Sequence, residues 1–597
     1  MSQQKRTGLE QHRGPRMNGP IVHARDRKGT ILRIWNYLNK QKTGLIASVV
    51  LVVVTTLLGL AGPYMIGIII DDYILARDMS GTVRMLYTLA GIYIAASVFT
   101  WLQTYIMINV SLKTIGTLRM DLFTKLQSLS LRFFDRRSHG DLMSRVTNDI
   151  DNLNMALSQS VTQIVSSLLT IIGITIAMFS LDWIMAIISL LIIPLIVMAS
   201  KQIIKRSSRN YAQRQKDLGE LNGYIEESII NGEVVTLFGK EQDVIKQFHS
   251  INENLRSSSI KADITSGLLG PLNNFINNIG LGLLIAAGAL LSVNGYVTIG
   301  VLATFVTYSR QFFRPINQLS NLLNTFQSAI AGAERVFEMM DEVPDIEDQK
   351  HAIQKQKFDG NVVFENVDFA YDSDKPVLRN ISFTAKAGEM IALVGPTGSG
   401  KTTIINLLTR FYDIQAGRIT IDGHDIKQYQ ISNLRQKIGV VLQDTYLFSG
   451  TIADNIRYGR LDASDEEVME AAKIAHAHAF IKYLPKQYDT FVASGGTNLS
   501  HGQRQLISIA RAILEDADIL ILDEATSNID TRTEVQIQKG LSNLMRGRTS
   551  FVIAHRLKTI QSADRILVIH EGEILEQGNH ESLIEQHGFY EKLYRSI

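Results

Sequence analysis

Residues 390–408 read MIALVGPTGSGKTTIINLL. Five residues, mostly β-compatible apolar types, run into a glycine-punctuated loop, and a second apolar stretch follows at helical spacing: strand, loop, helix in direct succession. Gly395 to Thr402 fits the pattern G-x-x-x-x-G-K-[ST]. Glycines let backbone N–H groups wrap around phosphate oxygens, Lys401 adds a point charge at the β- and γ-phosphates, and Thr402 offers a hydroxyl to Mg²⁺. The helix that follows turns its positive end toward the same anions. Gly395, Thr397, Gly398, Ser399, Gly400, Lys401, Thr402 and Thr403 are therefore the expected nucleotide-contacting residues.

A second stretch, ILILDEAT at 519–526, complements the first. An apolar run this short, ending in two carboxylates, reads as a parallel strand buried on both faces. Asp523 at its end can hold Mg²⁺ through water, and Glu524 can accept a proton from, or orient, an attacking water. The plainer alternative is a salt-bridged pair at a strand end; a phosphate loop in the same half of the chain favours the catalytic reading. Residues 361–597 are expected to form an α/β P-loop nucleotide-binding domain, after a linker at 336–360.

The rest of the chain differs in kind. At 597 residues there is room for more than one domain. The net charge of +2 exerts no global pull toward nucleic acid, and the absence of Cys excludes disulfides and thiolate metal sites. Six stretches approach the ~20 apolar residues that a helix needs to cross a bilayer core. They lie at about 44–70, 83–108, 157–180, 183–203, 268–293 and 299–322. SLDW and NGYV leave room only for tight turns between the third and fourth and between the fifth and sixth. The connections 109–156 and 204–264 are long, polar and rich in Lys and Arg, which places them in the cytoplasm with both termini. RMDLFTKLQSLSLRFFD keeps helical spacing, so the membrane helices are expected to continue into the cytoplasm. Residues 1–30 carry Lys5, Arg6, Arg13, Arg16, Arg25, Arg27 and Lys28 with no apolar core close behind, which reads as a basic cytoplasmic tail and not a signal peptide.

The reading places no acidic or basic side chain near mid-membrane, which argues against a proton relay or an ion filter and suits an apolar or amphipathic cargo. Asn273, Asn274, Asn277 and Asn278 sit toward the cytoplasmic end of the fifth span. They serve either as interhelical hydrogen-bonding groups or as the lining of a cavity.

Further motifs appear in a fixed order: FAYDSDKPVL with Tyr371, VLQDTYLF with Gln443, NLSHGQRQ with Ser500, Gly502 and Gln503, SNID with Asp530, and VIAHR with His555. In this order the soluble half resembles the nucleotide-binding domain of an ABC transporter, and the chain from about residue 30 onward resembles a bacterial ABC exporter half-transporter of the multidrug type. FFDRRSHGDLMSRVTNDID from Phe133 and NGYIEESIINGEVVTLFGKE from Asn222 are similar to that family's two coupling segments. The resemblance implies a six-helix transmembrane domain over 31–335, followed by the nucleotide domain, in a multi-pass protein of the plasma (inner) membrane. It implies ATP and Mg²⁺ as cofactors. Tyr371 would stack on adenine, Gln443 would reach Mg²⁺ and the attacking water, His555 would contact the γ-phosphate, and Asp530 would lie at a dimer seam. Partners would be a second half-transporter chain, the lipid bilayer and a hydrophobic or amphipathic substrate, with no nucleic acid. A lipid flippase of the same class and a membrane-anchored ATPase acting as sensor or regulator are the alternatives.

Two positions depart from the family pattern. The usual signature is LSGGQ; here Ser500 and Gly502 flank His501, whose side chain stands where a glycine allows close backbone approach to the γ-phosphate. Ser494 occupies the position where a Glu is common. In this family ATP lies between one chain's phosphate loop and the other's signature loop. A sound carboxylate beside an altered signature therefore suits division of labour in a heterodimer, Glu524 serving one site and His501 lying in the other; a homodimer that tolerates the change is the alternative.

Overall fold

In the computed structural model, residues 26–372, 375–442, 445–524, 531–554 and 556–596 are described. They divide into two units, one comprising residues up to Gln127 together with His139–Asp341, the other Ser128–Ser138 with Glu342 onward.

Unit 1 is helical. Its main elements are α1 Arg27–Asn39, α2 Lys42–Ile68, α3 Met79–Ser128, α4 Val161–Leu181, α5 Trp183–Leu190, α6 Ile192–Ile230, α7 Glu241–Gly267, α8 Leu269–Val293 and α9 Ile299–Asp341. Among the described residues, five helical stretches are long and apolar enough to cross a membrane: Lys42–Ile74, Met79–Ser128, His139–Leu181, Trp183–Ile230 and Glu241–Val293. The sixth expected span forms the first half of α9. The 50 residues of α3 rise about 75 Å, far more than a bilayer core of ~30 Å, so the helix runs well beyond its apolar part, as expected. None of the most apolar stretch of α3 is buried inside the chain, which leaves it facing lipid or another chain.

Two boundaries fall elsewhere than read from the sequence. Helix begins at Arg27, inside the expected tail, because Asp26 caps it by accepting from the Gly29 N–H. Helix α9 runs to Asp341, past 335, because Val336, Phe337 and Met339 continue a buried apolar face. A third expectation fails: the sixth span as read, 299–322, carries both Arg310 and Arg314 on α9.

Helices α2 and α9 are locked by hydrogen bonds around Pro63, which interrupts the ladder of α2. The Tyr308 hydroxyl donates to the Leu60 carbonyl at 2.8 Å and Thr304 to the Pro63 carbonyl at 3.1 Å. Asp71 accepts from the Gly300 N–H at 2.7 Å, satisfying an otherwise orphaned donor at the start of α9. Farther along, Arg335 on α9 grips Asp149 with Nε and Nη2 at 2.8 and 2.5 Å. Asp149 is 5% exposed and lies on a short π-helical turn, Arg145–Asp149.

Unit 2 is α/β. Its named elements are β1 Val362–Ala370, β2 Pro376–Ala385, β3 Met390–Val394, α10 Lys401–Leu408, β4 Ala416–Ile421, β5 Ile438–Val441, α11 His501–Glu515, β6 Ile519–Glu524, β7 Thr549–Ala554, β8 Arg565–His570 and β9 Glu573–Gly578. The main sheet has the order β9-β8-β3-β7-β6-β5, parallel except for the edge strand β9. A second, antiparallel sheet runs β2-β1-β4 and ends in the two-residue strand His424–Asp425. The segment leading into β1 is fastened by Asp422, whose carboxylate accepts from the N–H groups of Asp359, Gly360 and Asn361 and pairs with Lys355 at 2.7 Å. Burial opposes ionisation of Asp422, but those partners outweigh it and hold its pKa below the usual carboxylate value.

Removing the cation from the Asp149 pair leaves a buried carboxylate uncompensated, which costs about 3–5 kcal/mol, whereas replacing both partners by apolar residues recovers much of that loss. Arg335→Leu is therefore expected to lower the thermal midpoint of the detergent-solubilised protein, and Asp149→Leu combined with Arg335→Leu to restore most of it. Equal midpoints for wild type and Arg335→Leu would show that the pair contributes nothing.

Candidate nucleotide site

Strand β3 is bordered by β7 and β8, so the loop 395–400 emerges from the carboxyl end of a central parallel strand, where α/β sheets hold ligands. The register aligns Leu393 with Ile553 on β7, and Ile553 with Asp523 on β6. Asp523 thus stands at the same edge as the loop, two strands away.

Two glycines carry the loop geometry. A Cβ on Gly395 would lie 2.1 Å from the Ile569 carbonyl oxygen, so no side chain fits there. Gly400, at φ 105°, forms the left-handed corner from which α10 starts. Lys401 is 7% exposed, and its ammonium donates to the carbonyls of Gly395 and Pro396, both at 2.9 Å. The lysine thereby spans the loop and holds its charge over the cradle. Burial pulls the Lys401 pKa down, and the negative charge of Asp523 pulls it back up. Ser399 is buried and its hydroxyl has no partner among the described residues. Thr402 is exposed on the first turn of α10, whereas Thr403 is buried with its hydroxyl 3.3 Å from the Tyr371 hydroxyl. A glycine-rich loop at a helix N-terminus, an enclosed hydroxyl and a caged ammonium fit a nucleotide phosphate tail. The exposed hydroxyl of Thr402 and the carboxylate of Asp523 are the donor types a hard cation such as Mg²⁺ takes.

Tyr371 also accepts from Asn406 Nδ2 at 3.2 Å and meets Tyr412 and Phe369 edge-on, each with ring centroids 5.0 Å apart. Its backbone carbonyl accepts from Arg132 at 2.7 Å. Arg132 belongs to the segment Ser128–Ser138, which sequence reasoning kept in the membrane domain and which packs within unit 2. Phe133 of that segment is 6% exposed, Ser130 donates to Asp345 at 3.2 Å, and Arg137 pairs with Glu342 at 3.1 Å. The Tyr412 hydroxyl donates to Asp135; burial first, and then that carboxylate, hold the phenol well above its ordinary pKa.

The altered signature begins α11. Ser500 caps the helix by accepting from the Gln503 N–H at 3.3 Å, and Gln503 Oε1 accepts from the Ser500 N–H at 3.0 Å, a complete capping box. Gly502 is buried; His501 is half-buried and its Nδ1 is enclosed without a partner. Ser494 lies 3.1 Å from the Tyr446 hydroxyl. Glu524 closes β6 with its backbone paired to Ala554. Gln443, Asp530 and His555 lie outside the described residues.

The model of the ABC transporter transmembrane region matches residues 45–316, and that of the ABC transporter matches residues 378–527. An uncharacterized ABC transporter ATP-binding protein of Bacillus subtilis, YfiC, is 48% identical over 573 residues, covering 96% of this chain and 95% of its own.

The chain belongs to the ABC transporter family.

A fatty acid ABC transporter ATP-binding/permease protein of Mycobacterium bovis is 42% identical over 519 residues, 87% of this chain and 82% of that one. Among solved structures, a bacterial Atm1-family ABC exporter with ATP bound superposes with a TM-score of 0.75 at 30% identity, covering 93% of this chain and 98% of the other. The chain is thus a bacterial-type ABC exporter half-transporter, a helical membrane domain followed by a nucleotide-binding domain, and it couples hydrolysis of ATP, with Mg²⁺, to transport.

Proposed function

We propose that this half-transporter exports an apolar or amphipathic compound, drug-like or lipid-like, with both termini and the nucleotide domain in the cytoplasm. The lipid side of that range is favoured by one observation: the relative named as a fatty acid transporter matches most of the chain. We assign Lys401, Thr402 and the loop N–H groups to the phosphates, Thr402, Gln443 and Asp523 to Mg²⁺, Glu524 to the attacking water and His555 to the γ-phosphate. Tyr371 is the adenine contact. Closure of two nucleotide domains on ATP would be transmitted to the membrane helices through the coupling segments. The segment 128–138, anchored to the backbone of Tyr371, is suited to that task.

We further infer that the chain pairs with a different half-transporter. Support comes from the combination at issue, a carboxylate retained at 524 and a histidine at 501: in a homodimer every site would contain both, and only unlike chains give one site with the carboxylate and an unaltered signature. A sensor or regulator ATPase is the rival reading, and a vesicle assay separates them: hydrolysis without vectorial movement of any amphiphile would mark a sensor.

Orientation is checked by labelling Ser292→Cys in this Cys-free chain, which should react from the outer face; reaction from the cytoplasmic side alone would invert the topology. Glu524→Gln should keep nucleotide binding and lose about 10²- to 10⁴-fold in turnover, trapping ATP in a closed state. Near-normal steady-state ATPase would remove Glu524 from its role. In a heterodimer the site facing His501 is slow for want of a good base, so His501→Gly should alter total turnover by no more than about 2-fold, under ~0.5 kcal/mol of barrier. Measured on this chain alone and with its partner, strong ATPase by the chain alone, accelerated by His501→Gly, would establish a homodimer instead.

A further inference from the structure

Within unit 1, α5, α6, α8 and α9 border a cavity of about 310 Å³. One part of its wall is apolar, with Ile192, Leu281 and Leu284. The other part is polar, with Asn274, Asn277 and Asn278 on α8 facing Arg310 on α9. The four asparagines of α8 have separate tasks. Asn273 meets the Ser200 hydroxyl at 3.1 Å and ties α8 to α6. The other three line the cavity, and Asn277 Oδ1 is buried without a partner among the described residues. Ser189 and Ser309, also in the wall, lie 3.4 Å apart and are both buried.

Arg310 is exposed toward this space and has no hydrogen bond or ion pair with the described residues. Its place on α9 is 11 residues past Ile299, about 17 Å along the helix, or roughly half of a ~30 Å hydrocarbon core. An arginine stays protonated in any protein setting. Cations on such a span are expensive, Arg314 following one turn later on the same helix, and residues of this kind face a cavity and mark the path of a substrate. The planar guanidinium matches the two oxygens of a carboxylate or of a phosphate, and the neighbouring carboxamides add donors around them. The apolar part of the wall is built for methylenes.

We propose that this cavity binds the anionic head of a single-chain amphiphile, a carboxylate or phosphate oxyanion, with Arg310 as its ion-pair partner and Asn274, Asn277 and Asn278 as its hydrogen-bonding collar. The inference rests on the export reading and narrows its cargo class. A lipid-facing arginine that merely snorkels would not need the asparagine collar.

The test uses the purified full-length protein, with any partner chain that accompanies it, in an uncharged maltoside detergent at pH 8.5. The probe is cis-parinaric acid, compared with its methyl ester by fluorescence titration. The acid should bind at least about 10-fold more tightly than the ester, because a charge-assisted bidentate contact is lost on esterification. Arg310→Gln should reduce that preference to within about 2-fold and leave ester affinity unchanged, while Arg310→Lys should retain part of it. Displacement of the probe by hexadecanoate against hexadecyl phosphate assigns the oxyanion; stronger displacement by either supports the site and names its source. Equal binding of acid and ester by the wild type overturns the proposal, as does an Arg310→Gln protein that keeps the full preference. If that variant does not fold, the wild-type comparison and Asn277→Leu, which should also weaken the acid selectively, decide. Vesicle transport of the neutral ester tests the export reading on its own: head-group preference without any transport would leave the site standing and remove the exporter.

Discussion

Hydrocarbon offers no hydrogen-bond partner, and that constraint organises unit 1. Each polar group within the spans must be answered by the protein itself. The most conspicuous need arises at Pro63, which cannot donate an N–H and interrupts the ladder of α2. Around it α9 is tied to α2: Tyr308 and Thr304 donate to the Leu60 and Pro63 carbonyls, and Asp71 accepts from the Gly300 N–H at the start of α9. These bonds fix the two helices at one register, because a shift of either by a residue would leave several groups unsatisfied at once. Farther along α9, beyond the span, Arg335 pairs with the buried Asp149. Against that background of settled accounts, Arg310 and Asn277 stand out.

Unit 2 depends on a different economy. Its parallel sheet aligns strand ends so that backbone N–H groups, an ammonium and a carboxylate meet at one edge. Lys401 shows how such a site is held ready before a ligand arrives: carbonyls of its own loop accept its protons and keep the ammonium in place despite burial. Tyr371 joins this site to the segment 128–138. Its hydroxyl reaches Thr403 on α10 while its carbonyl takes the Arg132 guanidinium. A displacement at the phosphate loop therefore has a two-bond route to that segment, through a residue whose ring is braced by Phe369 and Tyr412.

Much of this was legible in the residues because the decisive signals are local. A phosphate loop needs glycines and a lysine at fixed spacing, and a membrane helix needs some twenty apolar residues; neither depends on distant partners. What escaped the sequence is non-local. Nothing in FFDRRSHG states that Phe133 will be buried in unit 2, since an aromatic beside charges suits many surfaces. The end of α9 was set too early because charged residues in AGAERVFEMMDE mask an apolar face that only packing reveals. Arg310 was missed for the opposite reason: its neighbours are apolar or aromatic enough to read as a span, and even two arginines, at 310 and 314, do not break the pattern. The asparagines were left between two roles, and the structure divides them, Asn273 to helix packing and the other three to the cavity.

The histidine at 501 shows how a departure from a family pattern can be separated from the demands of the fold. The start of α11 is held by Ser500 and Gln503, whose reciprocal bonds use the residues on either side of the changed position. A first-turn position tolerates most side chains, since its N–H needs no intrahelical partner. Local structure therefore neither requires His501 nor is damaged by it. Its Nδ1 is enclosed without a hydrogen bond, a small cost that the helix cap does not repay. The retained Asp523–Glu524 strand end belongs to this chain's own phosphate loop, so the two features answer to different surfaces.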